Sequence, residues 1–292
     1  MANQITTFKK YIDVLDEVYK MASLSAVLDG DPTLVAAGSN AKEIVIPKMT
    51  MDGMANYSRN GGYIGGDVTL TNETVECNYD RGRKFTVDAM DNEETAGVAF
   101  GKLSAEFIRT KLVPELDAFR FAKYAGTTGI SKISAGAKLA TGDDVIAALI
   151  AAQNSMDEAE VPMESRVLFI TPTLYNLISA LDTTKSREVL ASFAQIVKVP
   201  QTRFYTAIKL NDGTTSGETA GGYAKAASGA NINFMVVEKS AAIQFQKHTV
   251  SKIISPAENQ TSDGWSFCYR DYGIADVYEN KVSGIYLHFS DE

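Results

Sequence analysis

The sequence predicts an α+β fold, because three regions of the chain show different patterns of apolar residues. Residues 41–91 carry short runs in which apolar and polar side chains alternate, a pattern typical of β-strands. Residues 92–124 carry apolar side chains at the spacing of an amphipathic helix. From residue 141 onward, short apolar strands alternate with helical segments, which indicates a compact α/β region.

Composition narrows the class of protein before any motif is considered. The 292 residues are 45% apolar and 22% charged, which is ordinary for a folded chain and unlike a disordered one. The formal net charge of -8 disfavours a protein that binds duplex DNA by neutralising its phosphates. No apolar run approaches the roughly 20 residues of a membrane helix, and residues 1–29 lack the pattern of a signal peptide.

The first segment, residues 1–29, has the pattern of an amphipathic helix. Its apolar side chains step by three and four residues and form a narrow stripe: Ile5, Phe8, Ile12, Leu15, Tyr19, Ala22 and Ala26. A turn-forming run, Asp29-Gly30-Asp31-Pro32, separates this helix from the rest of the chain. The pattern fits a helix that packs on its own core, and it also fits an arm that lies on a neighbouring subunit.

Residues 41–91 are predicted to form a long β-hairpin. Its tip holds glycines that supply the positive φ angles of a tight reversal: Gly61, Gly62, Gly65 and Gly66. The apolar phase changes between Leu70 and Val75, which predicts a bulge or bend near Asn72-Glu73. Because the two arms hold too few large apolar residues for a core of their own, the hairpin is expected to lie on another chain.

The next element is predicted as one long helix over residues 92–124. Acidic residues at its start complement the helix dipole, and Gly126 helps to end it. Pro114 falls inside the helix and is expected to kink it. Lys111 and Glu115 are expected to form an ion pair on the solvent side, as are Lys102 and Glu106.

The rest of the chain is predicted to alternate helices and strands and to end in extended structure. Asp143-Asp144 is interpreted as a helix start and not as a catalytic pair of carboxylates. Residues 209–229 are rich in Gly, Ser, Thr and Ala and are predicted to form a surface loop. The predicted strands of this region include residues 167–170, 233–237 and 242–245.

A search for catalytic and ligand-binding signatures finds none. The sequence has no G-x-x-x-x-G-K-[ST] phosphate loop, no G-x-S-x-G nucleophile elbow and no H-E-x-x-H metal motif. His248 and His288 lack neighbouring carboxylate clusters and are interpreted as core or surface residues. Cys77 and Cys268 lack metal-ligand spacing and are interpreted as free thiols. We therefore predict no catalytic residue, no cofactor and no metal.

Arg81, Arg83 and Lys84 form the densest positive cluster of the sequence. Guanidinium groups can bind carboxylates in two-point contacts, so the cluster could contact acidic groups of a neighbouring subunit. The alternative is a solvated strand face, where exposed ion pairs contribute little.

Four stretches of the sequence, together with the order of the elements, resemble a known family. The stretches are Tyr57-Ser58-Arg59-Asn60-Gly61-Gly62, Tyr79-Asp80-Arg81-Gly82-Arg83, Met90-Asp91-Asn92-Glu93-Glu94 and residues 107–120, FIRTKLVPELDAFR. They resemble the hairpin tip, the returning hairpin arm and the spine helix of major capsid proteins of tailed bacteriophages, the Hong Kong ninety-seven type of shell fold.

The resemblance implies a capsid fold with six parts. These are an N-terminal arm (1–40), an extended β-hairpin loop (41–91), the spine helix of a peripheral domain (92–127), an α/β axial domain (128–250), peripheral-domain strands (251–280) and a C-terminal return to the axial domain (281–292). Copies would meet as pentamers and hexamers. The residues predicted at subunit interfaces are Arg59, Gly61, Gly62, Tyr63, Gly65, Gly66, Arg81, Arg83, Lys84, Phe8, Ile12 and Leu15.

As a function, the resemblance implies a structural subunit without enzymatic activity that self-assembles into an icosahedral phage head. The head would enclose double-stranded DNA without reading its sequence. A separate scaffolding protein, a portal and a maturation protease would be its partners, with no membrane involved. The protein would be made in the cytoplasm of a bacterial host and located in the virion. One alternative is an encapsulin-like nanocompartment shell, and another is a small-molecule enzyme built on the α/β region, which would need a deep pocket with converging titratable groups.

Overall fold

The computed structural model describes residues 22–30, 43–94, 102–133, 135–181 and 183–290. Its strands are β1 (Glu43–Met51), β2 (Val68–Glu76), β3 (Tyr79–Asp88), β4 (Ser131–Lys132), β5 (Arg166–Ile170), β6 (Gln195–Lys198), β7 (Ile208–Leu210), β8 (Tyr223–Lys225), β9 (Asn231–Glu238), β10 (Ala242–Ile254), β11 (Gly264–Val277) and β12 (Ile285–Ser290). Its α-helices are α1 (Ala89–Glu94), α2 (Leu103–Phe107), α3 (Val113–Gly126), α4 (Gly142–Glu158), α5 (Pro172–Leu181) and α6 (Thr184–Ala191). A mixed α+β chain is thereby confirmed.

A five-stranded mixed sheet, in the order β4-β12-β9-β5-β6, forms the centre of the α/β region. All five residues of β5 are buried, and alternate ones enter two different cores. Val167 and Phe169 pack in the core that includes α3, whereas Leu168 and Ile170 pack in the core that includes α4 and α5. Because both faces of the sheet are covered, its central strands are continuous apolar runs.

A capping box begins α4. The Thr141 hydroxyl accepts a hydrogen bond from the Asp144 amide (3.2 Å), and the Asp144 carboxylate accepts one from the Thr141 amide (2.9 Å). The hydrogen bonds from Thr141 hold the pKa of Asp144 below its usual value. The interpretation of Asp143-Asp144 as a helix start is confirmed.

A three-stranded antiparallel sheet, in the order β10-β11-β3, lies beside the long helix. β3 was predicted as the returning arm of the hairpin, but it pairs with β11 over its whole length, from Asp88 opposite Gly264 to Tyr79 opposite Gly273. Its ladder partner comes from the far end of the chain, so alternation alone did not reveal it. β10 is a single strand that crosses the boundary expected at residue 250.

The long helix is described from residue 102 onward, after the short helix α1. A π-helical segment, Ile108–Leu112, joins α2 to α3, and Pro114 lies in the first turn of α3. Proline lacks the amide hydrogen that an α-helical turn would use, which accounts for a distortion just before it. The expected solvent-side pair with Lys111 is wrong, because Glu115 is buried and pairs with Arg81 of β3 instead.

Two segments differ from the expectation in smaller ways. The predicted loop over residues 209–229 contains the short hairpin β7–β8, which leaves residues 211–222 as the loop. Helix α6 was not predicted, since it buries only Ser186 and Val189 and so carries no readable apolar stripe. The end of the predicted N-terminal helix forms a 3-10 turn, Ser25–Leu28, and the residues before Ala22 lie outside the described part of the chain.

Candidate subunit interface

The hairpin of β1 and β2 is regular along its length. The two strands pair without interruption from Glu43 opposite Glu76 to Met51 opposite Val68. The bulge expected near Asn72-Glu73 is therefore wrong. The change of apolar phase along β2 has a different cause, because residues of even and odd number point to opposite faces and the two faces have different surroundings.

One face of the hairpin, which we call the inner face, is fastened to its own chain. Val75, only 5% exposed, and Ile46 pack on Ile243, Phe245 and Ile274 of β10 and β11. The base of the hairpin is further held by an ion pair between Lys48 and Glu279. The inner face thus anchors the base of the hairpin, whereas its distal residues Thr69 and Thr71 are left exposed by the described part of the chain.

The opposite face, which we call the outer face, is apolar and exposed. Its exposed large apolar residues are Val45, Met49, Met51, Val68 and Leu70, which are between 49% and 66% exposed; the polar residues Asn72 and Thr74 of β2 lie on the same face. They share one face because Met49 stands opposite Leu70 and Met51 opposite Val68 in the ladder. The four residues of these two pairs form an exposed apolar cluster, which is typical of an interaction surface.

The tip, residues 52–67, contains the predicted interface glycines and Arg59. The chain reverses between Ser58 and Gly62, whose amides and carbonyls bond to each other at 3.2 and 2.8 Å. Among the tip glycines only Gly62 has a positive φ, 76°, so the expectation that all of them supply one is wrong. Tyr57 and Tyr63 contact each other edge to face at 5.0 Å, yet Tyr63 remains 91% exposed. The predicted residues Arg59, Gly61, Gly65 and Gly66 are likewise exposed.

The structure separates the three members of the positive cluster. Arg81 binds Glu115 of its own chain at 2.8 Å and donates to two carbonyls of the loop 211–222, one of them Asn211 at 2.8 Å. Arg83 donates to Thr219 of the same loop at 3.0 Å. Lys84 is exposed. Two of the three side chains therefore fasten a loop of their own subunit to β3.

The predicted arm residues Phe8, Ile12 and Leu15 lie outside the described part of the chain, but residues 22–30 show where the arm is attached. Asp117 of α3, with no exposed surface, accepts hydrogen bonds from the hydroxyl of Ser25 (2.7 Å) and the amide of Leu24 (3.0 Å). Buried Arg203 donates to the same carboxylate at 2.9 Å. A buried charge requires such partners, so the contacts hold the segment tightly.

A second set of contacts completes this attachment, which we call the arm clasp. Arg120 donates to the Ser25 hydroxyl at 2.9 Å. Gln244 of β10 donates to the Ser25 carbonyl (2.8 Å) and to the Asp29 carboxylate (2.6 Å), and accepts from the Tyr124 hydroxyl (2.7 Å). Sequence reasoning missed the clasp, although charged residues spaced among apolar ones in residues 114–121 gave a signal.

A groove of about 900 Å³ opens between β3, the N-terminal part of the long helix and the loop 211–222. Phe107 and Phe85 lie against each other in its wall with ring centroids 4.8 Å apart. Burial raises the pKa of Tyr269, another lining residue, to about 12. The glutamates that line the groove are engaged by arginines, Glu115 by Arg81 and Glu106 by a neighbour on the helix.

The described residues hold no group of histidine, cysteine and acidic side chains that could bind a metal. Cys77 and Cys268 are free thiols as expected. His248 is exposed, and His288 is buried against Phe234 with ring centroids 4.9 Å apart. Burial lowers the pKa of His288 to about 4. Within the same residues, no helix is long and apolar enough to cross a membrane.

No protein-family model matches the chain, and no curated protein matches it in sequence. Several solved structures, in contrast, match the chain in fold. A chain from Mycobacterium phage Che8 aligns with a TM-score of 0.66 at 14% identity, over 99% of this chain and 98% of that one. A capsid chain of cyanophage P-SCSP1u aligns with a TM-score of 0.61 at 16% identity, over 98% of this chain and 92% of that one. A virus-like particle chain from Pyrococcus furiosus aligns with a TM-score of 0.51 at 13% identity, over 91% of this chain and 95% of that one. Over nearly its whole length, the chain therefore has the fold of phage capsid chains.

Proposed function

We propose that the chain is a major capsid protein, a structural subunit without enzymatic activity that assembles with copies of itself into a closed icosahedral shell. The observation that carries the proposal is the outer face of the hairpin, which is apolar and which the described part of its own chain leaves uncovered. The likeness of fold to a phage capsid chain, over 98% of this chain, supports the same role.

The energetics of the hairpin agree with assembly. An isolated two-stranded ribbon is only marginally stable in water, so the distal hairpin gains most when another surface covers it. Fully burying an aliphatic side chain is worth about 1.5–3 kcal/mol. Covering the exposed halves of the five outer-face residues would thus contribute several kcal/mol to each contact. Pentamers and hexamers repeat that contact around a closed shell, where modest contacts act together.

The proposed interface includes the tip as well as the outer face. Its exposed members are Arg59, Gly61, Gly65, Gly66 and Tyr63, with Gly62 half-buried. Lys84 is free to join it, whereas Arg81 and Arg83 are held by the loop of their own subunit. The arm residues Phe8, Ile12 and Leu15, which lie outside the described part of the chain, are proposed as further members of the interface.

Double-stranded DNA is the proposed content of the shell. A subunit with a net charge of -8 repels packaged phosphates and so avoids sticking to the genome. In this role the protein is made in the cytoplasm of a bacterial host, assembles with a scaffolding protein, a portal and a maturation protease, and ends in the virion of a tailed phage. Tight, salt-sensitive duplex binding by the purified protein would count against this assignment.

A second candidate is a nanocompartment shell that holds protein cargo. It is favoured by the likeness to the virus-like particle chain from Pyrococcus furiosus, which is weaker in TM-score than the likeness to the cyanophage capsid chain. Shells isolated from cells distinguish the two, because nucleic acid inside supports a phage head and a stoichiometric enzyme inside supports a nanocompartment.

The test of assembly compares Leu70→Asp with Thr69→Asp, its neighbour on the opposite face. Both residues are exposed, so neither change should lower the free energy of subunit unfolding by more than about 0.5 kcal/mol. Leu70→Asp places a charge in the proposed interface and should reduce the yield of shells at least tenfold in electron microscopy and light scattering. Equal yields from the two variants, or a wild-type protein that stays monomeric at high concentration, would refute the proposal.

A further inference from the structure

The hairpin tip carries large apolar and aromatic side chains that the described part of the chain leaves exposed. They are Met54, Tyr57, Tyr63 and Ile64, and we call them the tip knob. The rings of Tyr57 and Tyr63 contact each other at 5.0 Å, so the two tyrosines form one group. Tyrosine is enriched among the residues that anchor protein–protein contacts in pockets of the partner. The tip knob is therefore suited to enter a groove on another surface.

The groove between β3, the long helix and the loop 211–222 offers such a site. Phe107 lies in its wall, with ring centroids 4.8 Å from Phe85 and 6.2 Å from Tyr269, which also line it. Of the residues Leu103–Leu112, which supply the helical part of the wall, none is buried. A volume of about 900 Å³ is at the upper end of the range for ligand pockets, so the groove can admit two aromatic side chains.

The tip and the groove carry charges of opposite sign. Lys102 and Lys111 line the groove and have no ion-pair partner among the described residues. Each carboxylate that lines the groove is already bound by side chains of its own chain. The tip holds two carboxylates, Asp52 and Asp67, and one guanidinium, that of Arg59. Complementary charge favours the approach of these two surfaces over that of like-charged ones.

The hairpin and the groove of one subunit lie on opposite faces of the three-stranded sheet. Alternate residues of β11 point to opposite faces: Ile274 packs with Val75 of the hairpin, whereas Tyr269 lines the groove. Among the described residues that line the groove, none belongs to the hairpin. Because β1 and β2 pair without interruption, the hairpin projects its tip about 27 Å from Glu43 and does not double back around the sheet. The groove that receives the tip therefore belongs to another copy.

We propose that the tip knob of one copy inserts into the groove of a second copy, with Tyr57 and Tyr63 against Phe85 and Phe107. The inference rests on the proposed function and names the surface that receives the tip. Since tip and groove are different patches, the contact is head-to-tail, and each copy gives a tip to one neighbour and receives one from another. A head-to-tail contact closes into a ring when the rotation between copies permits it, as pentamers and hexamers require.

Cross-linking of assembled shells tests the contact in the full-length chain with Cys77 and Cys268 replaced by serine. The pair Ile64→Cys and Lys111→Cys should form disulfides between chains upon mild oxidation. The matched pair Ile64→Cys and Lys123→Cys should form none, because Lys123 is an exposed lysine of α3 that does not line the groove. Since every copy gives and receives a tip, the linked products should extend beyond dimers to five or six chains.

The possible outcomes separate this contact from the shell role itself. Shells without disulfides from the Lys111 pair, or with equal linkage from the Lys123 pair, would overturn the contact and leave the shell role standing. A disulfide within one chain would place the tip in its own groove, and products no larger than dimers would show a reciprocal contact. Either result would also overturn the proposal. A wild-type chain that forms no shells would refute the proposed function as well.

Hydrogen exchange covers the case in which the cysteine variants assemble poorly. In the wild-type protein, amides of Leu103–Leu112 should exchange at least about threefold more slowly in shells than in unassembled subunits, because the inserted tip hinders local opening of the groove wall. Tyr63→Ser should lose either the shells or this slowing, whereas Thr69→Ser, an exposed change outside the tip, should keep both. Equal rates in shells and subunits, or wild-type behaviour of Tyr63→Ser, would overturn the proposal.

Discussion

Two strands of this molecule, β5 of the five-stranded sheet and β2 of the hairpin, carry apolar residues in opposite environments. In the five-stranded sheet, every residue of β5 is buried, because α3 covers one face and α4 with α5 cover the other. In the hairpin, β2 has a single buried residue, Val75, and apolar Val68 and Leu70 are exposed. The comparison teaches that an apolar strand must be covered, and that the covering surface can belong to the same chain or to another one.

The largest expected effect is on the buried sheet. Phe169→Ala removes a fully buried ring that packs on Phe121 at 5.0 Å, and it should lower the free energy of unfolding by about 3–5 kcal/mol. The matched truncation in the hairpin, Leu70→Ala, should cost less than about 0.5 kcal/mol in the unassembled subunit. Urea unfolding of both variants measures the difference. Similar losses would show that the hairpin is already covered within one subunit.

A second prediction uses the pH dependence of stability to test whether His288 of the five-stranded sheet is shielded from water. Burial lowers the pKa of His288 to about 4 from an ordinary value of 6.5, so the unfolded chain binds the proton more readily. The stability that this histidine contributes is complete above pH 6.5 and is lost as the pH falls towards 4. Between pH 7.5 and 5 the loss should be about 2 kcal/mol.

The control for this pH effect is the second histidine, His248, which is exposed on β10. His288→Gln should flatten the dependence of unfolding free energy on pH between 7.5 and 5, while His248→Gln should leave it as in wild type. An unchanged slope in His288→Gln would mean that the interior beside Phe234 is open to water.

The smallest expected effect is at the hairpin tip. Gly62 has a φ of 76°, a left-handed conformation that costs a side-chain-bearing residue about 1–2 kcal/mol. Gly62→Val should therefore speed hydrogen exchange of the residue-62 amide, which bonds to the Ser58 carbonyl at 2.8 Å, by about tenfold. Gly65→Val, at a site with open space and no positive φ, should leave that amide unchanged. Neither substitution should change the free energy of global unfolding, because the tip can open locally while the rest of the subunit stays folded.

Sequence reasoning predicted the elements better than their partners. The prediction of β3 as a strand was correct, but its pairing with β11, almost two hundred residues away, was not expected. Glu115 was placed on the solvent side because Lys111 follows the helical spacing for a pair, but Arg81 from a distant strand binds it instead. Each error has the same origin: local spacing favours a local partner, and the structure supplied one from far along the chain.

The candidate interface, too, could be predicted from the sequence only in part. The glycine-rich tip and the need of the hairpin for an external surface were readable from the sequence. The outer face could not be predicted, because only the pairing register of β1 and β2 shows that Met49 and Leu70 lie side by side. The groove and the arm clasp were also beyond reach, because both bring together residues from three or more separate segments.

The sequence by itself determined the α+β character, the absence of familiar catalytic motifs and the segments that cannot bury their own apolar surface. These follow from periodicity and composition, which act over a few neighbouring residues. Only the tertiary structure decided which side of the hairpin is fastened by Val75 and which is left exposed, and where the arm is attached. Those outcomes depend on contacts such as Ser25 with Asp117, which a linear pattern does not contain.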